Sequence, residues 1–314
     1  MILVARGAAY NCAPYRRDLA VNVRDLPCRD GVFRIRQPLN LFSRFNAWRR
    51  ARLLERFAFP DDAWQATLAA YPFFARLDAD ALARLRELVA LFCAEKEFVG
   101  TAEFEVTLHT QLAIAAQACL PVLNLDLSFY GGWHGIVVYA GEVVARREVT
   151  GDDGVVHQYD EVISGEAMPG GPVVLSWEDV TLAGHADAPS YNVVIHEFAH
   201  KIDMLKGEAT GMPPLIPAFH ADIDGRAFEA ALRLGYDDFS VAVQRWTRRG
   251  AIERTMPLID PYAAEHPAEF FAVLSEAFFT SPQDVAEEFP ALYGFFAAYY
   301  RQDPLAGRTS QTPV

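Results

Sequence analysis

No stretch of this 314-residue chain approaches 18 consecutive apolar residues, and the segment from Met1 to Tyr15 lacks a sustained apolar run ending in a small-residue cleavage site. Both absences argue against a membrane span or a secretory leader, so the expectation is a cytoplasmic protein with no membrane partner. Cysteine is scarce. Cys12, Cys28, Cys93 and Cys119 show no CxxC spacing, which excludes a disulfide scaffold and a cysteine-based zinc site and fits free thiols in a reducing compartment. Lysine is missing altogether from the first 60 residues, which hold 12 Arg against 4 acidic residues, a net of +8. The remainder has 16 basic and 37 acidic residues, a net of -21, and so lacks the basic face that direct nucleic-acid binding requires.

What the chain does have is ample core material, with 52% hydrophobic and 12% aromatic residues. Residues 1–45 carry scattered Pro14, Pro27, Gly31 and Pro38 without a stable period, and are expected to be an Arg-rich, poorly ordered extension. Residues 46–305 then form one domain, and 306–314 a tail. A basic stretch from Phe42 to Phe57 has helical character. Helices are predicted over Ala79 to Phe98, with Asp78 as cap, and over Thr107 to Leu120. Short β-branched runs follow at Gly135 to Ala140, Val143 to Val149, Val155 to Ile163 and Pro172 to Trp177, and read as one small sheet. The last of these is expected to border a cleft with its free edge. Beyond a loop rich in Gly and Pro (Gly207 to Pro217), helices are predicted at Ala218 to Leu234, Asp238 to Arg248, Pro267 to Thr280 and Pro282 to Tyr300, the last broken at Pro290.

Between sheet and loop lies His196-Glu197-Phe198-Ala199-His200, an HExxH sequence that Ser190 or Asn192 could cap as a helix. On a helix, residues i and i+4 share a face, so both imidazoles can converge on one zinc ion at about 2.0 to 2.1 Å. Glu197 can then serve as base towards a zinc-activated water, chemistry suited to peptide hydrolysis. A chance HExxH would sit on a solvated helix face. This one is set among Val193, Val194, Ile195, Phe198, Ala199, Ile202 and Leu205, and burying three ionisable groups is costly unless they are paired or bind a metal.

A catalytic zinc needs a third protein ligand. Asp203, Glu269 and Glu276 are the candidates. Asp203 lies on the same helix and suits the orientation of a ligand imidazole or pairing with another helix. Glu269 and Glu276 lie seven residues apart on one face of an almost wholly apolar helix, where a carboxylate needs a partner.

Three stretches, VVIHEFAHKIDMLKG from Val193, DPYAA from Asp260 followed by PAEFFAVLSEAFF from Pro267, and QDPL from Gln302, resemble the Mlc titration factor A family of zinc-dependent peptidases. Weaker matches are CLPVL from Cys119 and GPVVLSW from Gly171, and the likeness runs from about Phe74 to Leu305. The catalytic domain of that family is similar to that of anthrax lethal factor. The resemblance implies a zincin-like α+β fold, with amino-terminal helices, a small mixed sheet, the HExxH helix and a helical carboxy-terminal half. It implies one Zn2+ per chain on His196, His200 and Glu269, with Glu197 as general base and Tyr262 as a donor to the oxyanion. Glu276 then becomes a supporting or packing residue. It implies aminopeptidase-like hydrolysis of a peptide or protein substrate. The alternative it carries is a regulatory binding protein that sequesters a transcriptional repressor of the Mlc type. His109, His134, His157, His185, His220 and His266 are not required by this zinc pattern, although His266 is near Glu269.

Overall fold

The computed structural model describes residues 52–55, 57–101, 104–141, 143–150, 156–183, 190–248 and 257–306, and for 143–150, 156–163 and 248 the backbone alone. Residues 1–45, with Cys12 and Cys28, the tail 307–314 and His185 lie outside them, as does the side chain of His157. Of the basic stretch Phe42 to Phe57, residues 52–55 are described and are helical.

The elements run α1 (Asp61–Ala70), α2 (Ala79–Glu95), β1 (Glu97–Gly100), α3 (Leu108–Cys119), β2 (Gly135–Tyr139), β3 (Val143–Thr150), β4 (Val156–Ile163), β5 (Gly165–Ala167), β6 (Val173–Ser176), α4 (Trp177–Leu182), α5 (Val193–Asp203), α6 (Pro217–His220), α7 (Gly225–Arg248), α8 (Pro267–Thr280), α9 (Pro282–Glu288) and α10 (Pro290–Tyr300). This is a mixed helical and sheet architecture in the expected order, and no helix among the described residues is long and apolar enough to cross a membrane.

Local chemistry accounts for most of the boundaries. Asp78 accepts from the Ala81 N–H and starts α2, and Thr107 and Thr110 form a reciprocal capping box at α3. Between Glu288 and Pro290 the helix breaks at Phe289, because proline cannot donate to the preceding turn.

The strands depart from expectation. They do not form one sheet: among the described residues β3 and β4 pair only with each other, in antiparallel register from Val143 opposite Ile163 to Thr150 opposite Val156. The other sheet has the order β1-β2-β6-β5, parallel except for β5. Its β1 was hidden because the helical pattern over Ala79 to Phe98 runs into it; the helix ends at Glu95, where the Lys96 ammonium turns inward to the carbonyls of Tyr130 and Trp133. The strand from Val173 is interior, hydrogen-bonded on both sides, so the edge beside the cleft belongs to β5 instead.

Two helical boundaries also shift. Asp224 caps the N–H groups of Arg226 and Ala227, so α7 begins at Gly225 rather than Ala218. It then continues unbroken through Gly235. There the missing side chain serves close packing, for a β-carbon would lie 2.8 Å from Leu292 Cδ1 and 3.1 Å from Phe270 Cζ.

The core surrounds α5. Phe198 meets Phe92, Tyr130 and Trp133 at ring separations of 5.6, 5.0 and 5.7 Å, fixing the apolar back of that helix against α2 and the turn Leu127–Tyr130. Burying an aromatic ring of this kind contributes roughly 1.5–3 kcal/mol. The opposite side of α5 faces α8, with His196 and His200 of the one meeting Glu269 and Glu276 of the other.

Candidate metal centre

Helix α5 opens with Asn192, whose side-chain oxygen accepts from the Ile195 N–H at 2.9 Å, so of the two candidate caps it is Asn192 that acts. That start places His196, Glu197 and His200 along a cleft of about 600 Å³. Helix α8 opens with His266 as cap, its Nδ1 accepting from the Ala268 N–H at 3.1 Å, and Pro267 in the first turn. Glu269 sits in that first turn, where the helix dipole favours an anion. His266 is thus used in capping and is not part of the metal-competent group.

Among the described residues, His196, His200 and Glu269 form a group that could hold a metal ion. His196 Nε2 lies 3.0 Å from Glu269 Oε2, His200 Nε2 lies 3.3 Å from the same oxygen, and the two Nε2 atoms are 3.2 Å apart. Three donors around one tetrahedral zinc at about 2.0–2.1 Å would be about 3.3–3.4 Å apart. The triangle therefore has the size and the donor chemistry of a catalytic zinc site. Tyr262 bounds the same cleft, with its ring 6.2 Å from that of His196. A short turn, Pro261–Ala264, sets its direction, with Asp260 accepting from the Tyr262 N–H at 2.9 Å. Behind the turn, Glu288 accepts from the N–H groups of Leu258 and Ile259, tying it to the end of α9.

Each carboxylate has a distinct environment. Burial pulls the His196 imidazole down, but hydrogen bonds to Glu269 and Glu276 prevail and push it up to about 10, while Glu269 is held well below the usual carboxylate range against its own burial by His196 and His200. A cation between these atoms would take the place of the shared proton. Burial raises the Glu197 carboxyl above its ordinary value, with His196 and His200 pulling the other way. A carboxylate so placed is well suited to accepting a proton.

Glu276 makes a bridge. Its Oε2 is 3.3 Å from His196 Nδ1, and its Oε1 accepts from the backbone N–H of Asn192. Asp203, by contrast, makes no hydrogen bond to either imidazole; its Oδ2 accepts from Thr210 and Gly211. The other histidines whose side chains are described make contacts elsewhere: His220 stacks on Tyr299, His109 meets Trp177 edge-on, and His134 lies beside the Glu95 carbonyl.

Sequence reasoning missed Gly165. On the edge strand β5, a β-carbon at this position would lie 2.6 Å from Glu197 Oε1 and 2.7 Å from Val193 Cγ2. The available signal was a glycine just beyond the β-branched run that ends at Ile163, since a strand glycine can mark close approach of another group. Lys201 holds the turn beyond that strand by donating to the carbonyls of Met168 and Gly171, at 2.6 and 2.8 Å.

Comparison with known proteins agrees with this chemistry. The family model for the glucose-regulated metallo-peptidase M90 matches residues 45–301. Proteins called Mlc titration factor A are similar to the chain: that of Klebsiella pneumoniae subsp. pneumoniae is 36% identical over 245 residues, which is 78% of this chain and 88% of the relative. That of Edwardsiella ictaluri is 37% identical over 259 residues, 82% of this chain and 93% of the relative. With the family model spanning most of its length and relatives aligned over most of theirs, the chain belongs to the M90 family of glucose-regulated metallopeptidases.

Proposed function

We propose that this protein is a zinc-dependent metallopeptidase of zincin type, with aminopeptidase-like activity on a peptide or protein substrate in the cytoplasm. The observation that carries the reading is the convergence of His196, His200 and Glu269 from two helices onto one point of an open cleft, beside a buried Glu197. His196, His200 and Glu269 are the ligands. Zinc held there would polarise a substrate carbonyl and lower the pKa of a water molecule. Glu197 takes the proton of the attacking water and returns it to the leaving amine. Tyr262, at the mouth of the cleft, donates a hydrogen bond to the oxygen on which charge develops. Glu276 fixes the orientation of the His196 ring.

The test is to measure zinc content and hydrolysis of aminoacyl and peptide substrates for wild type, Glu197→Ala and Glu269→Ala. Expected are about one zinc per chain in wild type and Glu197→Ala, loss of activity in both variants, and loss of zinc in Glu269→Ala alone. Unchanged hydrolysis in Glu197→Ala would refute the mechanism.

The name of the relatives supports a second reading, in which the chain sequesters a repressor of the Mlc type and peptidase activity is secondary. Zinc binding without peptide cleavage, together with capture of a purified repressor, would favour it.

A further inference from the structure

Asp203 ends the α5 helix and is almost fully buried, and its two carboxylate oxygens have different surroundings. Oδ2 accepts from the N–H groups of Thr210 and Gly211 at 2.7 and 2.6 Å. Gly211 has φ +76°, and a β-carbon on it would fall 2.2 Å from the carbonyl oxygen of Pro267. The loop that Asp203 grips therefore rests, backbone on backbone, on the first residue of α8, two residues before Glu269.

Oδ1 has no hydrogen-bond partner although it is buried. His200 Nδ1 is buried and equally without one. These residues are three apart on one helix, hence neighbours on its surface. His200 turns Nε2 towards His196 and Glu269, which leaves Nδ1 to carry the ring proton whenever Nε2 is a ligand. Buried donors and acceptors are rarely left unpaired, and here one of each stands a single turn apart.

We propose that Asp203 is a positioning residue for both halves of the metal site: once a metal occupies His200 Nε2, the unpaired His200 Nδ1–H and Asp203 Oδ1 become partners, while Oδ2 holds the start of α8, with Glu269, through Thr210 and Gly211. This rests on the metal site described under the proposed function. Glu276 orients His196 from α8, and Asp203 orients His200 from α5 itself.

Asp203→Asn separates the two tasks. Its amide oxygen can still accept from the loop, while its NH2 group presents a donor where His200 needs an acceptor. Zinc affinity would be measured by chelator competition and ligand geometry by the visible spectrum of the cobalt-substituted protein, with the thermal melting of metal-free protein as the control for folding. Asp203→Asn is expected to bind zinc about 10- to 100-fold more weakly, with an altered cobalt spectrum and an unchanged metal-free melting temperature. Gly211→Ala, which forces the loop off Pro267, is expected to weaken zinc binding as well. Wild-type affinity and spectrum in Asp203→Asn would overturn the inference. Should that variant fail to fold, zinc-loaded wild type decides: a slowly exchanging downfield imidazole N–H assigned to His200 supports the bond, and its absence while that of His196 is seen overturns it. Wild-type zinc affinity in Glu269→Gln would overturn the metal site itself, and this inference with it.

Discussion

Gly165 and Glu197 touch: a β-carbon on the glycine would stand 2.6 Å from one carboxylate oxygen and 2.8 Å from Cγ. The edge strand thus packs directly on the group proposed as general base. Gly165→Ala is expected to displace that carboxylate and to lower kcat about 100-fold, because displacements near 1 Å cost that much in well-oriented sites. Zinc content should be unchanged, since neither residue is a proposed ligand. Steady-state kinetics with metal analysis checks both, and an unaltered kcat would count against the placement of the base.

Tyr262 is 52% exposed and is the proposed donor to the oxyanion. Tyr262→Phe is expected to lower kcat about 100- to 1,000-fold, the usual effect of losing one oxyanion donor, while KM, zinc content and melting temperature stay near wild type. A KM effect alone would make Tyr262 a substrate-binding residue instead.

Helix propensity by itself would make Gly235→Ala stabilising by roughly 1 kcal/mol. The contacts at Leu292 and Phe270 oppose this, for both side chains are buried and overpacking costs about 1–3 kcal/mol. Net destabilisation is the expected outcome in urea unfolding; a gain in stability would show that α7 and α10 separate easily.

His220 uses both ring nitrogens as a neutral imidazole, Nδ1 accepting from the Ile216 N–H at 2.9 Å and Nε2 donating to the Tyr299 carbonyl at 3.0 Å. Burial lowers its pKa below the ordinary value of 6.5, with the Tyr299 carbonyl opposing. The unfolded chain therefore takes up a proton near pH 6.5 that the folded chain still refuses, and this contribution to stability falls as pH drops through that value. Urea unfolding between pH 7.5 and 5 should show that fall in wild type and a smaller one in His220→Leu.

The helices and the proposed ligands were legible because their chemistry is local or periodic. HExxH is a one-turn spacing, whereas the apolar helix offered both Glu269 and Glu276, and only the family resemblance chose Glu269. The rest depended on contacts between distant segments. The three residues of β5 are too few to show a period, and β1 was absorbed into the end of a helical pattern. Gly235 reads as a breaker until Leu292 and Phe270 are seen against it. The partner of Glu276 was likewise beyond reach, since Asn192 is 84 residues away in sequence.

That same separation has a thermodynamic side. His200 and Glu269 lie 69 residues apart and meet only when α5 packs on α8. An ion bound there acts as a cross-link closing a long loop, and because the unfolded chain cannot assemble the three donors, its binding energy adds to the stability of the folded state. A chelator would then do more than stop catalysis. It would lower the melting temperature, increasingly so as free metal is depleted, and make the fold of the carboxy-terminal half dependent on metal supply.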